Sequence, residues 1–252
     1  MAKKERADSI AFAQGLAESR EQAERLVMAG KVFMEKDGPG KLARVDKPGQ
    51  MLPVETTLHV QRQERFVSRG AYKLLTALEH FSLNVEGIVA LDAGASTGGF
   101  TDCLLQHGAA RVYAVDVGSN QLHERLRANP RVNSMEGVNL RLAPPTLIPE
   151  QVDMVVADVS FISLTAVLPP CMQWLKPGGL VAALVKPQFE VPSGQTQKGV
   201  VRDEKLRDAA VAKVLDFAEK ELRLKLLGVV PSAIKGPKGN QEYMAVWRRE
   251  SE

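Results

Sequence analysis

The sequence has few residues of the kinds that form disulfides or bind metals. Only two cysteines occur in 252 residues, Cys103 and Cys171, and both lie in apolar contexts without the spacing of metal ligands. The four histidines show no ligand spacing either. A disulfide framework or a metal site is therefore not expected, and the cysteines are interpreted as reduced thiols in the core.

Long hydrophobic runs are missing as well. The longest, Leu180–Val185, has the length of a β-strand and falls well short of the roughly 18 apolar residues of a membrane span. The charged opening, MAKKERADS, is not followed by the apolar stretch of a secretory signal. No strongly basic amphipathic helix is evident, which leaves little support for a membrane-lytic protein. These absences predict a cytoplasmic protein without a membrane partner.

The sequence also has little excess charge of either sign. Its formal net charge is +3 with 25% charged residues, so composition alone gives weak support for binding to nucleic acid. Hydrophobic residues make up 44% of the chain, which is enough for a packed core. The length fits one large domain, or a small domain followed by a medium one.

What the sequence does contain is a glycine-rich stretch, LDAGASTGGFT, at Leu91–Thr101. It follows an apolar run and precedes a helix-like segment, an order that creates a site for a nucleotide-like ligand. The stretch departs from G-x-G-x-x-G at the second glycine, which disfavours a nucleotide-dependent oxidoreductase. Asp92 would repel a pyrophosphate but suits a ligand with an ammonium group, and Asp116, after the next strand, suits the two hydroxyls of a ribose. Together these features favour S-adenosylmethionine as the cofactor.

Four polar side chains come directly after predicted strands. They are Asp92, Asp116, Asp158 and Lys186, each at the end of an apolar run. Strands that alternate with helices predict an α/β fold with a parallel sheet, whose ligands bind at the carboxyl ends of the strands. We therefore expect these four side chains to lie together at a ligand site.

The chain is predicted to divide into a small α+β module at residues 1–61, a linker at 62–68 and a large domain at 69–252. In the large domain, a helix is predicted over 164–175, with a stop at the Lys-Pro-Gly-Gly sequence that follows and a strand at 180–185. A long helix is predicted over 203–222.

The small module has clear local signals. Ser19-Arg20-Glu21-Gln22 is a capping box at the start of a helix, and Gly30 is a natural stop at its end. Short strands are predicted at 32–34 and 57–60, with turns at 36–40 and 47–49 between them.

Three segments of this module resemble the S-four RNA-binding domain: Gly15–Arg20, Met28–Val32 and Lys47–Gly49. The resemblance implies a basic helical face that meets RNA phosphates, for which the candidates are Arg20, Arg25 and Lys31. One departure is Ala7, where the family usually carries leucine.

Further motifs extend the resemblance over nearly the whole chain. SRGAYKL at 68–74, DVSFIS at 158–163, KPQFE at 186–190 and KGVVRD at 198–203 appear in the order found in the TlyA (haemolysin A) family. Members of that family are S-four-domain-containing, FtsJ-like 2'-O-ribose methyltransferases that act on ribosomal RNA. The resemblance implies a Rossmann-like class I methyltransferase sheet, preceded by a small α+β S-four-like domain, and methylation at cytidine.

The resemblance also implies the residues of the site. A Lys-Asp-Lys-Glu tetrad carries over to Lys73, Asp158, Lys186 and Glu242. The residues predicted to contact S-adenosylmethionine are Asp92, Gly94, Ser96, Thr97, Gly98, Gly99, Phe100, Asp116, Val117, Asn139 and Asp158. Those predicted to contact RNA are Arg20, Arg25, Lys31, Arg69, Lys235 and Lys238. Val138 precedes Asn139 where the family more often has threonine.

The chemistry of methyl transfer to a ribose supports a lysine at the site. A 2'-hydroxyl is a poor nucleophile until its proton is removed or its developing negative charge is stabilised. An ordinary lysine has a pKa of about 10.4, so neutralising it at pH 7 costs roughly 4.6 kcal/mol. The hypothesis is that Lys186 acts as base or as oxyanion partner while Asp158 orients it. A non-catalytic RNA-binding protein that keeps the cofactor fold is the alternative.

Overall fold

The computed structural model describes residues 3–36, 40–61, 65–192 and 194–251, which form two compact units. The first unit is Met1–Arg65 and the second is Phe66–Glu252. Part of the turn predicted at 36–40 and part of the linker predicted at 62–68 lie outside the described residues.

The first unit combines two short helices with short antiparallel strands. Its elements are β1 (Lys4–Arg6), α1 (Ala7–Ala13), α2 (Arg20–Met28), β2 (Val32–Glu35), β3 (Leu42–Arg44), β4 (Met51–Pro53) and β5 (Leu58–Val60). β1 pairs with β4, and β2 lies between β3 and β5 in a three-stranded sheet. Ile10 and Val27, one from each helix, are buried in the core of this unit.

The ends of α2 follow from the predicted signals. Ser19 Oγ accepts a hydrogen bond from the Gln22 backbone N–H at 3.2 Å, and the Gln22 side chain accepts one from the Glu18 N–H at 2.6 Å. Gly30 adopts a φ of +68°, which lets the chain reverse and the Lys31 N–H reach the Leu26 carbonyl. The Ser19 N-cap and the glycine stop are therefore confirmed, whereas the return bond of Gln22 goes to the N–H of Glu18 and not to that of Ser19.

The second unit is built on a seven-stranded sheet of order β11-β12-β10-β9-β6-β7-β8. Its elements are α3 (Ala71–His80), β6 (Val89–Ala93), α4 (Gly99–Gln106), β7 (Arg111–Asp116), α5 (Glu124–Arg127), β8 (Val132–Glu136), β9 (Val152–Ala157), α6 (Leu164–Cys171), β10 (Leu175–Val185), α7 (Pro187–Glu190), α8 (Glu204–Leu222), β11 (Leu224–Pro231) and β12 (Tyr243–Arg249). β12 runs antiparallel to both its neighbours, whereas the pairs from β10 to β8 are parallel. The predicted α/β fold is confirmed.

Successive strand residues point to opposite faces of this sheet and create two cores. On β9, Met154 belongs to one core and Val155 to the other. The first core is shared with Leu74 of α3, and the second with Leu168 of α6 and Val214 of α8. Each fully buried side chain of this kind contributes about 1.5–3 kcal/mol, so the helices packed on both faces stabilise the sheet.

The helix predicted over 164–175 is shorter than expected. α6 ends at Cys171, directly after Pro169 and Pro170, which lack the N–H groups that continue a helix. β10 already begins at Leu175, and the Lys-Pro-Gly-Gly sequence forms an irregularity within it, because Leu175 pairs with Val152 and Leu180 with Met154. The strand β8 was not predicted, because its half-buried, mixed-polarity residues lack an apolar run.

Within the described ranges, every helix is either too short or too polar to cross a membrane.

Candidate active site

The strands β10, β9, β6 and β7 are neighbours, and the predicted polar residues lie where these strands end. Asp92 and Asp116 lie at the ends of β6 and β7, and Asp158 and Lys186 follow β9 and β10. A cavity of about 430 Å³ opens at this edge, a size typical of small-molecule sites. The predicted residues that line it are Gly94, Ser96, Asp116, Val117, Asn139 and Asp158.

The first half of the glycine-rich turn faces this cavity. Gly94 has a φ of +83°, and a side chain there would meet Val159 and the backbone of Asp158. Asp116 holds the turn, because its carboxylate accepts hydrogen bonds from the N–H groups of Ser96 at 2.8 Å and Gly118 at 2.7 Å. The missing glycine side chain keeps the cavity open beside Asp158.

The second half of the turn packs against neighbouring elements. A side chain at Gly98 would collide with Leu126, and a Cβ atom at Gly99 would come within 2.9 Å of the Ala71 nitrogen. Phe100 lies in the core, and Thr97 is exposed. These four positions, Thr97 to Phe100, do not line the cavity. Their contact with a cofactor stays a prediction, and their visible effect is close packing of α4.

Asp92 is fully buried, two residues before the cavity-lining Gly94, and is not itself among the residues that line the cavity. One carboxylate oxygen accepts a hydrogen bond from Thr101 Oγ1 at 2.7 Å, and the other has no hydrogen-bond partner among the described residues. Burial raises the pKa of this carboxyl to about 7, and the Thr101 hydrogen bond opposes the rise. Asp92 therefore has one carboxylate oxygen without a hydrogen-bond partner in the described part of the chain, and a nearby positive charge would stabilise its ionised form.

The four residues of the predicted tetrad form one continuous chain of contacts. Lys73 Nζ lies 2.7 Å from Glu242 Oε2 and 3.8 Å from Asp158 Oδ2. Lys186 Nζ lies 2.6 Å from Asp158 Oδ1. Both lysines are only 7% exposed and Glu242 is fully buried. Asp158 thus bridges two ammonium groups, a costly arrangement that buried ions tolerate only when each is paired.

Two further polar residues complete this chain of contacts, and sequence reasoning did not identify them. Ser160 Oγ accepts a hydrogen bond from Lys186 Nζ at 2.8 Å. Gln188 Nε2 donates one to Glu242 Oε1 at 2.9 Å. Each lies two residues beyond a tetrad member, within the DVSFIS and KPQFE motifs, so those motifs were the available signal.

An aromatic pair covers one side of Lys186. The Phe189 ring centre lies 5.9 Å from Lys186 Nζ, and the ring of Phe161 lies 5.1 Å from that of Phe189. Phe161 is 91% exposed at the cavity and has a φ of +64°, unusual for a bulky residue. Strained backbone of this kind is concentrated at functional sites.

Glu190, the last residue of the KPQFE motif, ties α7 to the loop that carries Ser160. It is 3% exposed, and its carboxylate accepts hydrogen bonds from Ser163 Oγ at 2.6 Å and the Leu164 N–H at 2.8 Å. Burial raises the pKa of this carboxyl. Glu190 therefore fixes the distance between the start of α6 and the turn that holds Lys186.

Replacing Glu190 with alanine should release the 159–164 loop and lower kcat by roughly 10- to 100-fold, because small displacements of reacting groups are costly. Steady-state methyl-transfer kinetics would measure the effect. Glu190→Gln, which can still accept from the Leu164 N–H, should recover most of the rate. Equal losses in both variants, or none in alanine, would contradict a positioning role.

The predicted RNA-binding residues are mostly exposed. Arg20 and Arg25 lie on α2, and Arg69, Lys235 and Lys238 lie on loops of the second unit; Lys31 is half-buried. Arg20 Nη2 lies 3.9 Å from the buried Asp8 carboxylate. Their contact with RNA stays a prediction.

Histidine, cysteine and acidic side chains in the described part of the chain form no cluster of three or more that could hold a metal ion.

Comparison with known proteins agrees with this geometry. The family model of FtsJ-like methyltransferases matches residues 66–249. The 16S/23S rRNA (cytidine-2'-O)-methyltransferase TlyA of Mycobacterium tuberculosis is 46% identical over 99% of this chain and 91% of its own. Hemolysin A of Brachyspira hyodysenteriae is 38% identical over 95% of this chain and 98% of its own.

A solved structure titled as a hemolysin from Streptococcus thermophilus has 44% sequence identity and a TM-score of 0.69. The match spans 99% of this chain and 90% of the chain in the solved structure. The fold, the family model and these full-length relatives lead to one assignment: the chain belongs to the FtsJ-like methyltransferase family, in the group that contains TlyA.

Proposed function

We propose that this protein transfers a methyl group from S-adenosylmethionine to a ribose 2'-hydroxyl of ribosomal RNA, at cytidine. The observation that carries the proposal is the chain of contacts through Glu242, Lys73, Asp158 and Lys186, in which Asp158 also lines the cavity. The relative from Mycobacterium tuberculosis, named for the same reaction, supports it over nearly the full length.

Groups that line the cavity, together with the buried Asp92 close to it in sequence, suit this cofactor. The free oxygen of Asp92 can accept a hydrogen bond from an ammonium group, and the Asp116 carboxylate, with two acceptor sites on each oxygen, can add hydroxyl donors to its backbone partners. Val117 and Asn139 line the same cavity and are candidates for the adenine end. When bound, S-adenosylmethionine supplies an electrophilic methyl group on a sulfonium.

In this proposal Lys186 acts on the attacking hydroxyl. Its ammonium group has three donors. One bonds to Ser160 Oγ, and Asp158 Oδ1 lies 2.6 Å away as an ion-pair partner, so a donor is left for the 2'-oxygen. There it can stabilise negative charge as the oxygen attacks, or accept the proton if it is neutral. Lys73, held by Glu242, keeps the opposite oxygen of Asp158 in place and can orient the ribose.

Phe161 favours RNA over a small acceptor. Its exposed ring at the cavity can stack on an unpaired base, as aromatic side chains do in single-stranded RNA recognition. Phe189 supports that ring from behind. A cytidine lifted out of its helix would then present its ribose to Lys186.

Methyl transfer from tritium-labelled cofactor to isolated ribosomal subunits and to naked rRNA tests the function. We expect incorporation that maps to a 2'-O-methyl cytidine. Cofactor binding without any transfer would instead favour the non-catalytic alternative. Incorporation into bases or protein would contradict the proposed reaction.

Asp92 should make cofactor affinity depend on pH. Because the pKa of its buried carboxyl is raised to about 7, the group is largely protonated below that pH in the free protein. A cationic ligand favours the ionised form, so affinity should rise from about pH 5.5 to 7.5, by at most tenfold per unit. Calorimetric titration with S-adenosylmethionine would measure this rise. Asp92→Asn should bind weakly and remove the slope, and a flat wild-type profile would contradict the role of Asp92.

A further inference from the structure

Two loops lie together near the edge of the sheet where the tetrad lies, one between β11 and β12 and the other between α7 and α8. Val185, the last residue of β10, pairs with Tyr243, the first residue of β12. Tyr243 also pairs with Pro231, the last residue of β11. The segment 232–241 therefore begins and ends beside this edge, and a side chain at Gly236 would collide with the Glu242 carboxylate. The segment 194–203 is bonded to it through Asn240.

Each loop carries a Lys-Gly pair in an unusual backbone conformation. Lys198 and Gly199 have φ values of +52° and +81°, and Lys238 and Gly239 have +64° and +87°. Left-handed backbone at a lysine costs free energy that asparagine or glycine would largely avoid. Folding of the turns thus does not account for lysine at these positions, and strain of this kind persists mainly at ligand clamps and active sites.

A buried asparagine holds the two pairs side by side. Asn240 is 3% exposed, donates from Nδ2 to the Gly199 carbonyl at 2.8 Å and accepts at Oδ1 from the Val201 N–H at 3.1 Å. The Lys238 side chain consequently lies over Gly199, where a Cβ atom would come within 3.1 Å of its Nζ. Asn240 therefore fixes the backbone of the turn at Lys198 beside the turn at Lys238.

The two loops, 194–203 and 232–241, together carry an excess of positive charge. The two loops contain four basic residues and one acidic residue, which are Lys198, Arg202, Lys235, Lys238 and Asp203. Lys198 and Lys238 are exposed, and neither forms an ion pair with any described residue. Two exposed ammonium groups on loops tied together by Asn240, one of which carries Gly236 against Glu242, suit the phosphates that flank a ribose at the site.

We propose that Lys198 and Lys238 form a phosphate clamp that grips the RNA backbone next to the nucleotide to be methylated. This inference rests on the proposed function, and it assigns the KGVVRD motif a role in substrate binding. The clamp acts on RNA affinity and leaves cofactor binding and the chemical step unchanged.

The test replaces both lysines with asparagine, which removes charge but tolerates left-handed backbone. Lys198→Asn with Lys238→Asn should raise the KM for rRNA about tenfold while kcat changes little. The slope of log KM against log salt should fall by about 1.4, or roughly 0.7 per lost single-strand phosphate contact. The matched control is Lys220→Gln on α8 with Lys225→Gln at the start of β11, both exposed and at the end of β11 away from the 232–241 loop, which should leave both values unchanged.

A binding measurement separates the phosphate clamp from the proposed methyl-transfer function. Fluorescence anisotropy with a labelled rRNA fragment gives the same salt slope without requiring turnover. Wild-type protein that binds the fragment but transfers no methyl group would overturn the proposed function, while the slope difference would still decide the clamp. An unchanged KM and salt slope in the double asparagine variant, or an equal change in the control, would overturn the clamp.

Discussion

Replacement of Lys186 with alanine is expected to lower methyl transfer by at least about 100-fold, within the range of roughly 10²–10⁴ typical of a lost acid, base or charge-stabilising group. Lys186 is the ammonium group held by both Asp158 and Ser160, so its removal leaves the attacking hydroxyl without a donor or proton acceptor. Single-turnover transfer to rRNA would measure the loss. Cofactor affinity should stay within a few-fold, because Lys186 is not among the residues that line the cavity.

Two companion variants sharpen this result. Lys186→Arg retains the positive charge but cannot serve as a base, since arginine stays protonated. Substantial activity in that variant would identify an oxyanion partner, and an inactive but cofactor-binding arginine variant would favour a base. Lys220→Ala, an exposed lysine paired with Asp216 on α8, is the control and should be fully active. Robust turnover by the Lys186→Ala variant would remove Lys186 from the mechanism.

Replacement of Glu242 with alanine should cost both activity and stability. Glu242 is fully buried, and its two oxygens accept from Lys73 and Gln188, so its loss leaves a buried ammonium without its closest partner. Breaking a buried ion pair typically destabilises by about 3–5 kcal/mol. Urea unfolding followed by tryptophan fluorescence would measure the change. Trp174 and Trp247 are the only tryptophans of the chain and both lie in the second unit, so the signal reports that unit.

A double-mutant cycle separates the pair from general damage. If the cost arises from the stranded ammonium, Lys73→Met combined with Glu242→Ala should be clearly less destabilised than the sum of the single variants. Both single variants should also lose methyl transfer, because Lys73 steadies Asp158. Additive stability losses, or full activity in Glu242→Ala, would contradict the role given to this pair.

Several parts of the site follow from local sequence, because they depend on one strand and the turn after it. An apolar run that ends in Asp92, Asp116, Asp158 or Lys186 places that residue at the carboxyl edge whatever the rest of the fold does. The first half of the glycine-rich turn also follows from local sequence, since Gly94 has a positive φ and a side chain there would meet Val159 and Asp158. Their assembly beside one cavity was therefore predictable.

Other parts depend on contacts between distant segments. Lys73 and Glu242 are 169 positions apart, and only the family resemblance, not their local sequence, indicated that they meet. Gln188, Ser160 and Glu190 carry no local sign of their hydrogen-bond partners. Phe100 illustrates the converse, because an apolar residue at a helix start is indistinguishable in sequence from the core residue that it is here.

The glycine-rich turn, the strand-end acids and the α/β order were determined by the sequence itself, since each rests on backbone conformation and hydrophobic periodicity over a few residues. Only the tertiary structure decided which charges pair, since burial and distance set the energy of an ion far more than its neighbours in sequence do. It also decided that two Lys-Gly turns lie together, through the buried side chain of Asn240.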